Sequence, residues 1–210
     1  MSTHIALVGD SIFDNKAYTG GEPDVVEHLR DLLPSGWCAS LGAVDGSVND
    51  DLAVQLERVP RDASRLVISI GGNDVLHNGD LLDTPVGSSA DALALFGERL
   101  TLFETAYCSA VDNALSLGKE TTICTIYNGN FAADEAPIVR VALTTFNDVI
   151  LRAAFQRRLT VIDLRLVCTE SSDYANAIEP SGRGGRKIAE AIARSCGAME
   201  CPALSRVYAG

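Results

Sequence analysis

The chain has 210 residues, of which 47% are hydrophobic and 21% charged, a composition ordinary for a soluble globular protein with one sizeable core. Against 28 Asp and Glu stand only 17 Lys and Arg, and the formal net charge of −11 repels phosphate backbones and anionic membrane surfaces, so neither nucleic acid nor a membrane is expected as a partner. The first residues carry no secretory pattern and no apolar run approaches the ~20 residues that span a bilayer, so a cytoplasmic location with reduced thiols is expected.

Five apolar runs read as strands: His4 to Val8, Trp37 to Val44, Leu66 to Ile70, Thr121 to Tyr127 and Leu159 to Leu164. The first ends on Gly9-Asp10-Ser11. After it Val25, Val26, Leu29, Leu32 and Leu33 form a helical face closed by Pro34-Ser35-Gly36. The second run leads into Asp45-Gly46-Ser47, and Leu52, Leu56 and Val59 mark a shorter helix. The third ends on Gly71-Gly72-Asn73-Asp74. Gly79 to Ser89 reads as a mobile loop able to fold over a pocket, and Ala90 to Leu117 as helix with a break near Gly97. The fourth run passes into Tyr127-Asn128-Gly129-Asn130, read as a turn with positive φ; Val139 to Ala154 is the next helix. Asp163 and Arg165 close the fifth run, and Ile188, Ile192 and Ala193 lie in the last helix.

Strand and helix therefore alternate five times, and the strands are continuous apolar runs, as expected for a parallel sheet buried on both faces. Residues 1–210 read as one domain, a three-layer α/β/α sandwich around a flavodoxin-like five-stranded parallel sheet. In such sheets ligands bind beyond the carboxyl ends of the strands, so Ser11 and Asn73 are expected to face one pocket.

The three strand-end blocks, Gly9-Asp10-Ser11, Gly46 and Gly71-Gly72-Asn73-Asp74, together resemble the SGNH, or GDSL, hydrolase family. The resemblance implies that Ser11 is the nucleophile toward an ester or thioester carbonyl. It further implies an oxyanion hole of the Ser11 and Gly46 backbone N–H groups and the Asn73 carboxamide, a small acylated substrate, and no cofactor or metal. Donors aimed at developing negative charge contribute about 10²–10³ in rate apiece.

The fourth block departs from the family pattern of Asp, two residues, then His and Pro before the last helix. Here the segment is Asn176-Ala177-Ile178-Glu179-Pro180-Ser181, and the only histidines are His4, His28 and His77. Three readings are open. Glu179 replaces His as general base, its pKa raised by burial or by a neighbouring carboxylate such as Asp173, with Asn176 donating to the charged form and opposing the shift. Alternatively His77, three residues past Asp74, serves as base. In the third reading hydrolysis is impaired and the pocket binds an acylated or glycosylated ligand.

The remaining features read as structural. Asp10 holds the turn into Ser11, and Asp74 caps the next segment of the chain. Gly182-Arg183-Gly184-Gly185-Arg186-Lys187 lacks phosphate-loop spacing and reads as a helix start after Pro180 and Ser181. Trp37 belongs to the core, and Asp163 and Arg165 pair or fix the loop bearing Glu179. Cys38, Cys124 and Cys168 are read as buried thiols rather than metal ligands, and Cys196 and Cys201 are close enough in sequence to pair if oxidised. Nothing in the sequence fixes the oligomeric state.

Overall fold

In a computed structural model, which describes residues 3–200 and 207, the strands β1 (His4–Gly9), β2 (Cys38–Leu41), β3 (Arg65–Ser69), β4 (Glu120–Cys124) and β5 (Thr160–Ile162) form one sheet. All pairings are parallel, in the order β2-β1-β3-β4-β5. The helices are α1 (Val25–Leu32), α2 (Leu52–Leu56), α3 (Gly72–Leu76), α4 (Ser89–Leu115), α5 (Ala136–Gln156) and α6 (Gly182–Ser195).

Alternate residues of β1 enter two different cores. Ile5 and Leu7 join the cluster packed under α1 and α6, whereas Ala6 and Val8 join the cluster under α2, α4 and α5. That is the expected three-layer sandwich, its apolar strands covered on both faces. Strand order reverses at β1, which lies between β2 and β3, so a crevice opens beyond the ends of β1 and β3.

Local signals set the helix starts. Asp24 accepts from the Glu27 amide at 2.8 Å while the Glu27 carboxylate accepts from the Asp24 amide at 3.0 Å, a reciprocal cap for α1. Ser181 caps α6 by accepting from the Gly184 amide, so the glycine-rich segment is a helix start, as expected. A Cβ on Gly184 would lie 2.0 Å from the Asp173 carbonyl oxygen, so only glycine lets α6 approach that loop.

Several boundaries differ from expectation. β2 stops at Leu41 because the amides of Gly42 and Ala43 both donate to the Leu7 carbonyl, which ends the ladder. β4 stops at Cys124, since the backbone N–H and C=O of Ile126 are taken by the carboxamide of Asn147 on α5 rather than by a strand. α4 runs unbroken through Gly97, where glycine weakens a helix without removing a backbone donor. The Gly79 to Ser89 segment is built rather than open: Gly79–Leu82 is a short 3-10 turn, the Thr84 hydroxyl donates to the Asp80 carbonyl, and Ser88 caps α4.

Cys124 and Cys168 are buried as expected, but Cys38 is exposed because it opens the edge strand β2. Cys196 is buried; Cys201, and with it the suggested pairing, lies outside the described residues. Among the described residues no helix is long and apolar enough to cross a membrane.

Candidate active site

Gly9 leaves β1 with φ +133°, and a Cβ there would stand 1.7 Å from the Ser69 carbonyl oxygen, so the chain can turn off the sheet at this point only with glycine. The Asp10 amide donates to that same carbonyl at 3.0 Å, and the Asp10 carbonyl accepts from Phe13 and Asp14. The Asp10 carboxyl accepts from the Ile12 amide at 3.2 Å, which is the turn-holding role read from the sequence. The turn sets Ser11 on a cavity wall.

From 168 positions further along the chain, the Glu179 carboxyl meets it: the Ser11 hydroxyl donates to Glu179 Oε1 at 3.1 Å. A bridge between Tyr174 and Pro180 closes the loop around Glu179, and the Ala175 amide donates to the Glu179 carbonyl at 2.8 Å. The turn after β4 braces it from one side. The Tyr127 hydroxyl donates to the Ile178 carbonyl and the Asn130 amide to the Ala177 carbonyl at 2.8 Å, with Gly129 between them at φ +74°. From the other side Asn15, fully buried, donates to the Pro180 carbonyl at 3.3 Å and accepts from the Val25 amide at 3.0 Å. Asp163 and Arg165 do pair, at 2.6 Å, and Asp163 also accepts from Thr125.

Two supporting roles are corrected by this geometry. Asn176 does not donate to the Glu179 carboxyl; its Oδ1 accepts the amides of Ile178 and Glu179, both at 2.9 Å, and so shapes the backbone. Asp173 does not press on Glu179. It is buried beside α6, where Lys187 at 2.6 Å and the amides of Thr169 and Glu170 hold its pKa below the usual carboxylate range despite burial.

Burial is the main cause that raises the Glu179 pKa to about 7; the Ser11 hydrogen bond opposes the rise and the negative charge of Asp45 adds to it. Burial likewise raises Asp10 to about 7, opposed by the Ile12 N–H and reinforced by the charge of Glu179. Oε2 of Glu179 is buried without a hydrogen-bond partner among the described residues. A carboxyl so placed is a competent acceptor of a hydroxyl proton near neutrality.

Asn73 lies in the first turn of α3, after Gly71, on the same cavity wall. Its carboxamide nitrogen donates to the Ser47 carbonyl at 2.9 Å, which ties it to the loop that bears Gly46. Gly46 itself has φ +81°, its N–H meets no partner among the described residues, and it stands outside the cavity wall. Gln55, buried on α2, joins the blocks: its nitrogen donates to the Gly9 carbonyl and to the Ser47 hydroxyl, and its oxygen accepts from the Gly9 amide at 2.7 Å. Asp74, rather than capping the next segment, accepts from the backbone and side chain of Asn49. His77 ends α3 exposed to solvent and off the cavity wall. His4 bonds Asp62 and Ser40, and His28 bonds the Gly182 carbonyl.

Sequence reading missed Gln55, Asn15 and Asn147. Gln55 is a carboxamide set in an otherwise apolar stretch, a signal that was available, because a buried amide survives only with its hydrogen bonds satisfied; Asn15, between Asp14 and Lys16, and Asn147, before Asp148, carried no such signal.

The cavity has a volume of about 420 Å³ and is walled by Asp10, Ser11, Asn73 and Glu179 at one end. Elsewhere it is mainly apolar, with Phe96, Ile126, Phe131, Val139, Leu143 and Phe146 among its walls. Among the described residues no group of three or more His, Cys, Asp or Glu is arranged to hold a metal ion.

Fold and cavity define a doubly wound α/β/α protein with its site at the carboxyl ends of the strands. The GDSL-like lipase/acylhydrolase family model matches residues 7–187, so the chain belongs to that family, and with it to the carboxylic ester hydrolases. No curated protein sequence matches the chain. Similar solved structures include a phospholipase A1 from Streptomyces albidoflavus NA297, at TM-score 0.70 and 14% identity over 93% of this chain and 100% of that one. Another is Axe2, an acetylxylan esterase from Geobacillus stearothermophilus, at TM-score 0.68 and 20% identity over 93% and 94%. A third is an extracellular lipase from Streptomyces rimosus, at TM-score 0.64 and 14% identity over 92% and 99%. At these identities the likeness is one of fold.

Proposed function

We propose that the chain hydrolyses carboxylic esters with an apolar acyl group, using Ser11 as nucleophile and Glu179 as general base in the place of histidine. The observation that carries this reading is the 3.1 Å hydrogen bond from the Ser11 hydroxyl to Glu179 Oε1. As Ser11 Oγ adds to the carbonyl carbon, its proton passes to Glu179, and the oxygen that becomes negative is met by Asn73 and by the N–H of Ser11, while Gly46, off the cavity wall, is left out of this set. Glu179 then gives the proton to the leaving alcohol, and a water repeats the sequence to free the acid. A base with a pKa near 7 is suited to both transfers at neutral pH. Family membership, and solved relatives named as a lipase, a phospholipase and an acetylxylan esterase, support ester chemistry.

Glu179 is preferred to His77 as base because Glu179 accepts from the Ser11 hydroxyl, whereas His77 is exposed and is not among the residues that line the cavity. A second reading, a binding site without turnover, is favoured by the lack of any imidazole beside Ser11 and by the unpartnered Oε2 of Glu179. Hydrolysis of p-nitrophenyl butyrate, together with fluorophosphonate labelling of Ser11, separates the two. Turnover abolished by Ser11→Ala and by Glu179→Gln supports the esterase; no turnover and no labelling leaves the binding site.

A further inference from the structure

The ionisable carboxyls on the cavity wall have no basic counterpart beside them among the described lining residues. Asp10, Asp83, Glu135 and Glu179 line it, and among the described residues no Lys, Arg or His does. Asp83 and Glu135 are exposed at the mouth, and neither has an ion-pair partner among the described residues. Behind the Ser11 end, Asp45 accepts from the Tyr18 hydroxyl, and its charge is felt at Glu179. The cations nearby are committed or displaced. Arg99 touches the Asn78 carboxamide and is paired with Asp80 at 3.0 Å. Arg165 is paired with Asp163, and together with Arg140 it borders a separate small recess beyond Gly129.

Two further observations bear on the occupant of the cavity. Glu179, only 6% exposed, lines this wall and accepts the Ser11 hydroxyl on Oε1, while its Oε2 is sealed off without a partner among the described residues, so its carboxyl adds to the acidic character of the cavity end. Phe96 and Phe131 are part-buried lining residues, and aromatic rings attract cations. Resting on the ester-hydrolase reading above, we propose that the cavity selects its substrate by charge: it takes neutral esters, prefers esters bearing a positive charge, and turns away anionic ones. Discrimination arises mostly from the repulsive side, since an anion in this cavity meets the exposed Asp83 and Glu135 with no cation among the described lining residues to receive it.

The test uses the full chain carrying Ser11→Ala, so that intact esters can be titrated calorimetrically. Three butyrate esters of similar size are compared at low salt: butyrylcholine, 3,3-dimethylbutyl butyrate, and the ester of 3-hydroxypropanoate. Butyrylcholine is expected to bind roughly fivefold tighter than the neutral ester, and the anionic ester weaker by a similar factor, a spread that contracts in 0.5 M NaCl. Adding Asp83→Asn and Glu135→Gln, both at exposed positions, is expected to narrow the spread at low salt. Equal Kd values for the three, or tightest binding of the anion, would overturn the proposal. Turnover by the unmutated chain is scored separately: its absence defeats the catalytic reading, while the order of Kd values still decides the charge preference.

Discussion

The Asn73 carboxamide gives one proton to the Ser47 carbonyl, so the other proton on the same nitrogen is held in a fixed direction by a bond that the substrate does not supply. Such a preorganised donor costs nothing to orient when charge develops. Asn73→Ala should therefore lower kcat by about 10²–10³ with a smaller change in KM. Steady-state kinetics on p-nitrophenyl butyrate check this, and an unchanged kcat would remove Asn73 from the oxyanion hole.

Glu179 must be ionised to accept the Ser11 proton, and its pKa is raised to about 7. Hence kcat/KM should rise with pH, falling about tenfold per unit below the inflection and levelling off above it. Asp10 titrates in the same range and feels the charge of Glu179, so the inflection belongs to the pair. Asp10→Asn removes a negative neighbour and should move the inflection downward. A profile flat from pH 5 to 8 would speak against Glu179 as base.

Asp10 also ties stability to pH. Its pKa is raised on folding from 3.8 to about 7, so the folded chain holds the Asp10 proton where the unfolded chain has lost it. Stability contributed by this group is full below pH 4, declines as pH rises from 4 to 7, and is absent above that. Asp10→Asn keeps an acceptor for the Ile12 amide without the charge, and should be more stable than the parent at pH 8 by up to roughly 4 kcal/mol, with little difference at pH 4. Urea denaturation at the two pH values measures this; a greater gain at pH 4 would contradict it.

Gly9→Ala places a methyl carbon against the Ser69 carbonyl in a left-handed backbone. The β1–β3 junction has to shift, at a cost of about 3 kcal/mol or more. Thermal unfolding should show a large drop in Tm, and a drop under 2 °C would mean that the junction yields more readily than its close approach implies.

Asn176→Asp preserves the acceptor for the Ile178 and Glu179 amides, so it should leave the loop folded. Combined with Glu179→His it restores the family's pair of side chains. If the remaining machinery is intact, the double variant should hydrolyse p-nitrophenyl butyrate with its inflection moved toward that of an imidazole, ~6.5. An inactive but folded double variant would mean that the loop fits only a carboxyl.

The features legible in the sequence were those set by local pattern. Continuous apolar runs announced five buried parallel strands, and the residues that end β1 and β3 announced Ser11 and Asn73. Glu179 was visible by its place before Pro180 and α6. The roles of Asn176 and Asp173 were misjudged because proximity in sequence says nothing of which way a side chain faces: Asn176 turns to its own backbone and Asp173 turns to Lys187. The early ends of β2 and β4 depend on contacts with Leu7 and Asn147, far away along the chain. Gly97 suggested a break because glycine is a poor helix former, yet the hydrogen-bond ladder carries through it.

The buried positions of α4 begin only at Phe103, so its leading turns, with Gly97 among them, stand on few tertiary contacts. Phe96, on those turns, is part of the cavity wall. Backbone amides from Ser89 to Gly97 should therefore exchange with deuterium well before those from Phe103 onward, through fraying that loosens only the edge of the core under α4 and α5, where Phe96 packs, and leaves the core under α1 and α6 untouched. Each such opening withdraws one wall of the chamber, giving bulky products a way out without unfolding the sheet.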